Sequence, residues 1–338
     1  MLSVFEVLPV GLLQCSASEL HQLLPGPSLI HLPGEEAEPV FISVLLHGNE
    51  TTGWDAIRQV LLAHQDKSLP RAVSLFIGNV AAAAHGLRHL DEQPDYNRIW
   101  RAEEETQEAQ MVRQVLADMK QRDVFACIDI HNNTGRNPHY ACINRLAAPF
   151  FQLATLFSKT VVYFLQPDSV LSMAFSSLCP AATVECGKPD EAQGIEHAQD
   201  FILRVLRLSE FEDDSQSLQS TDVFHTVASI KLREGMEVGF LDQGYDLELL
   251  PDADQLNFNE LPVGSQFAKV HRTEPLPIEV QNEFGKDVTE RYFQIDSGWL
   301  VNTVPIMPSM LTLDLDVIRQ DCLCYLMQKL DLSTSLPG

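Results

Sequence analysis

The chain is 338 residues long, 45% hydrophobic and 21% charged, the composition of a folded protein with room for one large domain and a smaller one, not of a disordered or fibrous chain. Lys and Arg total 23 against 47 Asp and Glu, a net charge of -24, so the long-range field repels polyanions and argues against nucleic acid and anionic membrane as partners. Seven scattered cysteines without paired CxxC motifs read as reduced core residues. The opening MLSVFEVLPVGLLQ lacks a basic leader region, and no apolar run approaches the roughly 18 residues of a membrane span, which makes the cytoplasm the expected location.

From residue 40 onward apolar runs alternate with segments of helical period, the signature of a mostly parallel sheet flanked by helices. The expected strands are 40–46, 72–78, 124–130, 161–165 and 181–185. Between the first two, Trp54, Ile57, Val60 and Leu61 share a helical face, with Thr51 or Thr52 available as N-cap. Val112, Val115, Leu116 and Met119 mark a second helix, with Glu103 to Glu105 near its start and Lys120 and Arg122 at its end to suit the dipole. Ile195, Ala198, Ile202, Val205 and Leu206 mark a third.

The polar, acidic, serine-rich stretch 209–221 reads as the domain boundary, giving a large domain over 1–210 and a β-rich one over 211–338. Short β-like runs punctuated by Gly and Pro fill 222–306, and 315–330 has the spacing of a terminal helix.

In an open α/β sheet, ligands bind beyond the carboxyl ends of the strands. Four strands here end in LLHGNE, FIGN, CIDIH and TVECG, which places His47, Glu50, Asn79, His131 and Glu185 along one rim. Two His and one Glu are an established catalytic zinc set that keeps one position for water. His47 and Glu50 sit at a strand-to-helix turn that Gly48 keeps tight, His131 completes the set, and Asp129 is placed to hold that imidazole's other nitrogen. Glu185, emerging from an apolar strand, suits a general base. In the loop after the second strand, Asn97 and Arg98 could clamp a substrate carboxylate, leaving Arg88 to polarise the scissile carbonyl. Spacing alone leaves His85 and His139 unassigned, although either could line the pocket.

Taken together, LLHGNET, the GN followed by Arg88 and DYNRIW, then DIHN and TVECGKP, resemble the succinylglutamate desuccinylase/aspartoacylase family of the zinc carboxypeptidase superfamily. The motifs run in the family's order from 45 to 189, and DQLNFNELPVGSQFAK (254–269) is similar to part of its C-terminal β domain. The resemblance implies a zinc-carboxypeptidase-like mixed sheet, one Zn2+ per chain on His47, Glu50 and His131, and hydrolysis of the amide of a small N-acyl amino acid with a free carboxylate. Carried over residue by residue, Glu185 is the base, Arg88 the carbonyl polariser, and Asn97 and Arg98 the clamp.

Two segments depart from the pattern. HLDEQPDY, between Arg88 and Asn97, is longer than in the deacylases, and NNTGRNPHYACIN makes Arg136, His139 and Tyr140 candidates for the acyl pocket. A metallocarboxypeptidase acting on short peptides needs the same groups, and a non-enzymatic binding protein on this fold would have no chemical need for Glu185 and Arg88. A homo-oligomer is compatible with the sequence.

Overall fold

The computed structural model describes residues 1–212, 221–271 and 274–332. Most of the expected boundary stretch, 213–220, lies outside them. Two compact units emerge, one formed by 1–132 with 139–222 and the other by 133–138 with 223–335.

The first unit contains β1 (Ser3–Phe5), β2 (Ser28–Leu32), β3 (Gly34–Val44), α1 (Thr52–Ala63), β4 (Leu69–Ile77), α2 (Val80–Ala83), α3 (Gln107–Gln121) and β5 (Ala126–His131). It continues with β6 (Tyr140–Ile143), α4 (Ala148–Phe157), β7 (Thr160–Tyr163), α5 (Leu171–Phe175), β8 (Ala181–Glu185) and α6 (Ala192–Leu206). Its strands run in the order β1-β2-β4-β3-β5-β8-β6-β7. The central four, β4, β3, β5 and β8, are parallel, whereas β2 and β6 join them antiparallel.

Burial on both faces explains the unbroken apolar runs: every residue of β5 and β8 is buried, as is Val40–Val44 of β3. The expected helical faces are the packed ones, with Trp54, Ile57, Val60 and Leu61 buried on α1 and Val112, Val115 and Met119 on α3. Thr106 caps α3 by accepting a hydrogen bond from the Ala109 amide at 3.1 Å, so Glu103 to Glu105 lie just outside the helix. At the far end of the unit the buried Arg71 guanidinium stacks 3.8 Å over the Phe125 ring and donates to the carbonyls of Glu38, Leu208 and Ser209. This ties the chain leaving α6 to the sheet.

The second unit contains β9 (Asp222–Leu232), β10 (Val238–Phe240), β11 (Leu247–Leu249), β12 (Gln266–Val270), β13 (Ile278–Asn282), α7 (Thr289–Tyr292) and β14 (Phe293–Asp296). β15 (Trp299–Asn302), β16 (Met307–Ser309), α8 (Leu315–Gln320) and β17 (Cys324–Lys329) complete it. β9 pairs antiparallel with β13 and β17, β16 pairs β17, and a second sheet runs β10-β11-β12-β15-β14. Ile230, Leu247, Phe267, Leu300 and Leu326 are among its buried core. The terminal helix expected over 315–330 is corrected: only Leu315–Gln320 is helical, and Cys324–Lys329 is a strand laid against β9. Ladder bonds to β9 outweigh a helical spacing that a short apolar run shows by coincidence.

On β11 the buried Glu248 carboxylate accepts backbone hydrogen bonds from Asp242, Gln243 and Gly244, which follow β10, and lies 3.0 Å from His271 Nε2. Burial alone would raise its pKa, but the His271 bond and the three amides hold it down at about 2. A depressed carboxyl pKa contributes stability that is whole above the unfolded value and is lost as pH falls toward the folded one. The urea midpoint of Glu248→Gln should therefore lie below that of the unsubstituted chain at pH 7, with the gap closing between pH 4.5 and 2. A pH-independent gap would show that charge is not what Glu248 contributes.

All seven cysteines are free thiols. Among the described residues no helix is long and apolar enough to cross a membrane.

Candidate metal centre

Three side chains converge where β3 and β5 end. His47 and Glu50 lie in the turn from β3 to α1 and His131 is the last residue of β5, and one ligand atom from each falls within 4.8 Å of the others, all three residues being buried. Glu50 Oε1 is 2.8 Å from His47 Nδ1 and Oε2 is 2.7 Å from His131 Nδ1. Both Nδ1 atoms thus face one carboxylate, while both Nε2 atoms turn outward to carboxylates of their own. His47 Nε2 is 3.0 Å from Asp95 Oδ1, and His131 Nε2 is 2.9 Å from Asp129 Oδ2. Metal-binding imidazoles are characteristically oriented in this way, with the far nitrogen donating to a carboxylate.

The electrostatics suit a cation. Burial and the Arg88 charge oppose protonation of His47, yet Glu50 and Asp95 outweigh them and raise its pKa. Burial likewise opposes protonation of His131, and Asp129 and Glu50 overcome it, holding the pKa well above the usual value. Burial would raise the Glu50 and Asp95 carboxyls, but the imidazoles and, for Asp95, Arg88 and Arg98 pull both well below the carboxylate range. Asp129 is fully buried and its Oδ1 finds no hydrogen-bond partner among the described residues. Buried carboxylates in such excess are costly unless positive charge is placed among them, and a two-His, one-Glu donor set matches zinc. The residues present therefore fit the metal.

Local geometry explains the tight turn. A Cβ on Gly48 would lie 2.2 Å from the Ala83 nitrogen and 2.7 Å from the Leu87 oxygen, and the Gly48 amide donates to the Arg88 carbonyl at 3.0 Å. Leu45, just upstream, adopts a positive φ of 56°, a conformation an L side chain holds only where its surroundings enforce it. Gly48→Ala should lose about 3 kcal/mol of stability, the upper end of what overpacking costs, and most of its Zn2+ affinity. Thermal unfolding together with a zinc titration checks both.

Asn132 joins the rim together. Its amide proton goes to Glu50 Oε2 (3.2 Å), its side-chain nitrogen to Thr52 Oγ1 and the Gly187 carbonyl (both 2.9 Å), and its side-chain oxygen accepts from the Thr52 amide (3.2 Å). Glu185, buried at the end of β8, stands opposite His131 in the β5–β8 ladder and opposite Tyr140 in the β6–β8 ladder. Glu185, His131 and Tyr140 thus occupy three neighbouring strands.

The segment between α2 and α3 is irregular but anchored. Trp100 packs 5.9 Å from both Phe76 and Phe175, and its indole N–H donates to the Tyr96 carbonyl. On this support Arg88 Nη2 reaches Asp95 Oδ2 at 2.9 Å and Arg98 Nη1 donates to the Asn97 carbonyl at 3.0 Å. Asn97 Nδ2 lies 3.5 Å from His131 Nε2, and its Oδ1 accepts from the Leu171 amide. Asn97 and Arg88 are thus brought to the edge of the metal cluster.

Asn79 is used differently: its oxygen caps α2 through the Ala82 amide and its nitrogen donates to Gln93 Oε1. Arg136 is exposed and belongs to the second unit. His139 is half-buried 5.1 Å from the His197 ring, and His85 is exposed. Asp95 and Asn132 escaped the sequence reading. Their position was the available signal, one lying two residues before the Asn97–Arg98 pair and the other next to a ligand.

This fold, with its clustered His, Glu and His at the carboxyl ends of parallel strands, is of the zinc-carboxypeptidase-like class. It is similar to succinylglutamate desuccinylase from Chromobacterium violaceum (TM-score 0.59, 15% identity, covering 90% of this chain and 89% of that one). It is also similar to a succinylglutamate desuccinylase/aspartoacylase from Rhodobacter sphaeroides (0.58, 13%, 89% and 88%) and to murine aminoacylase 3 (0.55, 15%, 88% and 96%). No curated protein matches the chain by sequence. The model of the succinylglutamate desuccinylase/aspartoacylase catalytic domain matches residues 36–209, and the chain belongs to that family.

Proposed function

We propose that this chain is a zinc-dependent amidohydrolase that cleaves the amide bond of a small N-acyl amino acid. The carrying observation is the buried His47, Glu50 and His131 cluster, with both Nε2 atoms anchored and Glu185 one strand away from His131. Zinc bound there supplies a Lewis acid that polarises a carbonyl and acidifies a water. Glu185 takes the proton from the water as its oxygen attacks the amide carbon, and delivers it to the leaving nitrogen as the C–N bond breaks. Arg88 turns its guanidinium to the oxygen on which negative charge develops. Asn97 and Arg98 bind the amino acid's carboxylate, Tyr140 contacts the acyl group, and Asn79 shapes the loop that bears Arg88.

The activity is expected in the cytoplasm, in keeping with seven free thiols. The test loads purified protein with one equivalent of Zn2+ and presents N-acetyl, N-aspartyl and N-succinyl amino acids beside short peptides. Turnover of an acyl amino acid, abolished by a chelator and restored by zinc, is the expected result. Hydrolysis of peptides alone would make the chain a carboxypeptidase, and failure to bind zinc would remove the proposal.

A further inference from the structure

Asp95 has no part in the chemistry described so far, yet it touches three pieces of it. Oδ1 is 3.0 Å from His47 Nε2 and 2.7 Å from the Asn97 amide, and Oδ2 receives Arg88 Nη2 at 2.9 Å. The carboxylate is only 15% exposed. His47 belongs to the turn after β3, whereas Arg88, Asp95 and Asn97 belong to the irregular segment before α3, so the two regions meet through this side chain.

We infer that Asp95 is a positioning residue that couples the two halves of the site, fixing the imidazole of a metal ligand and the substrate-binding arm with one carboxylate. The inference rests on the proposed function and names a group that links its parts. The physical reason is directional. An imidazole whose outer nitrogen is held by a carboxylate has one tautomer and one ring orientation, so Nδ1 is presented to the metal. A guanidinium held by the same carboxylate has its plane and direction fixed. The Asn97 amide bond to Oδ1 sets the backbone from which the Asn97 and Arg98 side chains depart. Asp129 holds His131 Nε2 in the corresponding way, but it is Asp95 that also meets Arg88 and the Asn97 amide.

The test compares D95N and D95E with the natural chain. Zn2+ affinity is measured by competition with a chromophoric chelator, and KM and kcat are measured at saturating zinc on the best acyl amino acid. D95N should weaken Zn2+ by about 10- to 100-fold, the range expected when a metal ligand loses its outer partner. The same variant should raise KM at least tenfold with the metal site full. D95E keeps the charge and should recover part of the zinc affinity while KM stays raised, since a carboxylate displaced by one methylene cannot meet all three donors. A third readout needs no substitution: 15N spectra of the zinc-loaded natural chain should show His47 with its proton on Nε2.

A change confined to zinc affinity or confined to KM would overturn the coupling, as would both staying within about twofold, the level of no resolved effect. If neither variant folds, a His47 proton found away from Nε2 overturns it instead. Failure of the proposed function looks different: the natural chain itself would then bind no Zn2+, and the inference would fall with it.

Discussion

Glu185→Gln should bind Zn2+ as tightly as the natural chain and lose hydrolysis by roughly 1,000-fold, within the range that one general base contributes. The amide is nearly isosteric with the carboxylate, so the β5–β8 ladder that sets Glu185 opposite His131 stays intact. What changes is proton affinity. A neutral amide cannot take the proton of the attacking water, and it has none to deliver to the departing nitrogen. His131→Ala is the contrasting variant: it removes a ligand and deprives the fully buried Asp129 carboxylate of the imidazole it meets, so both metal and activity should go. Metal content and turnover measured on the same samples separate the two roles. Near-normal turnover by zinc-loaded Glu185→Gln would place the base elsewhere.

The second large effect concerns the substrate's carboxylate. The protein's charge of -24 opposes the approach of an anion, so recognition must come from short-range, charge-assisted hydrogen bonds in a partly desolvated site. Asn97 is buried and Arg98 is half-buried beside it, its Nη1 already oriented by the Asn97 carbonyl. Arg98→Ala, or amidation of the substrate carboxylate, should each lower kcat/KM by about 100-fold, as expected when one partner of a buried charge pair is removed. Made together, the two changes should cost far less than 10,000-fold, their product, because each removes the same contact. The cycle is measured with free-acid and carboxamide substrates at fixed ionic strength. Fully multiplicative losses would mean that Arg98 never touches that carboxylate.

What the sequence makes legible follows from how each element is stabilised. The central strands show because they are buried on both faces and must be apolar throughout, and His47, Glu50, His131 and Glu185 show because they interrupt that pattern where the strands end. β6 did not show: Tyr140–Ile143 is four residues long, too short for a period to stand out. β17 looks helical in the sequence because Cys322, Tyr325 and Leu326 mimic a helical face, although Leu326 pairs with Ala228 in a ladder. Asp95 was invisible for another reason. Its role depends on a fold of the 88–98 segment, and Trp100 anchors that segment through contacts with Phe76 and Phe175, residues distant in sequence. Likewise, an Asn at a strand end looks like a ligand group until the helix it caps is seen.

His131 and Glu185 face each other as ladder partners on adjacent parallel strands. The interval between them is therefore the spacing of a sheet, about 4.8 Å, a dimension that backbone hydrogen bonding fixes and that no single substitution can lengthen or shorten. Arg88, Asn97 and Arg98 ride on irregular chain, where insertions and exchanges are tolerated. Variation can therefore act on one without disturbing the other. Transplanting residues 89–94 from a relative with a different preference, with Arg88, Asp95, Asn97 and Arg98 kept, should redirect which acyl amino acid is accepted, while the solvent isotope effect on the cleavage step, a property of the ladder pair, stays the same.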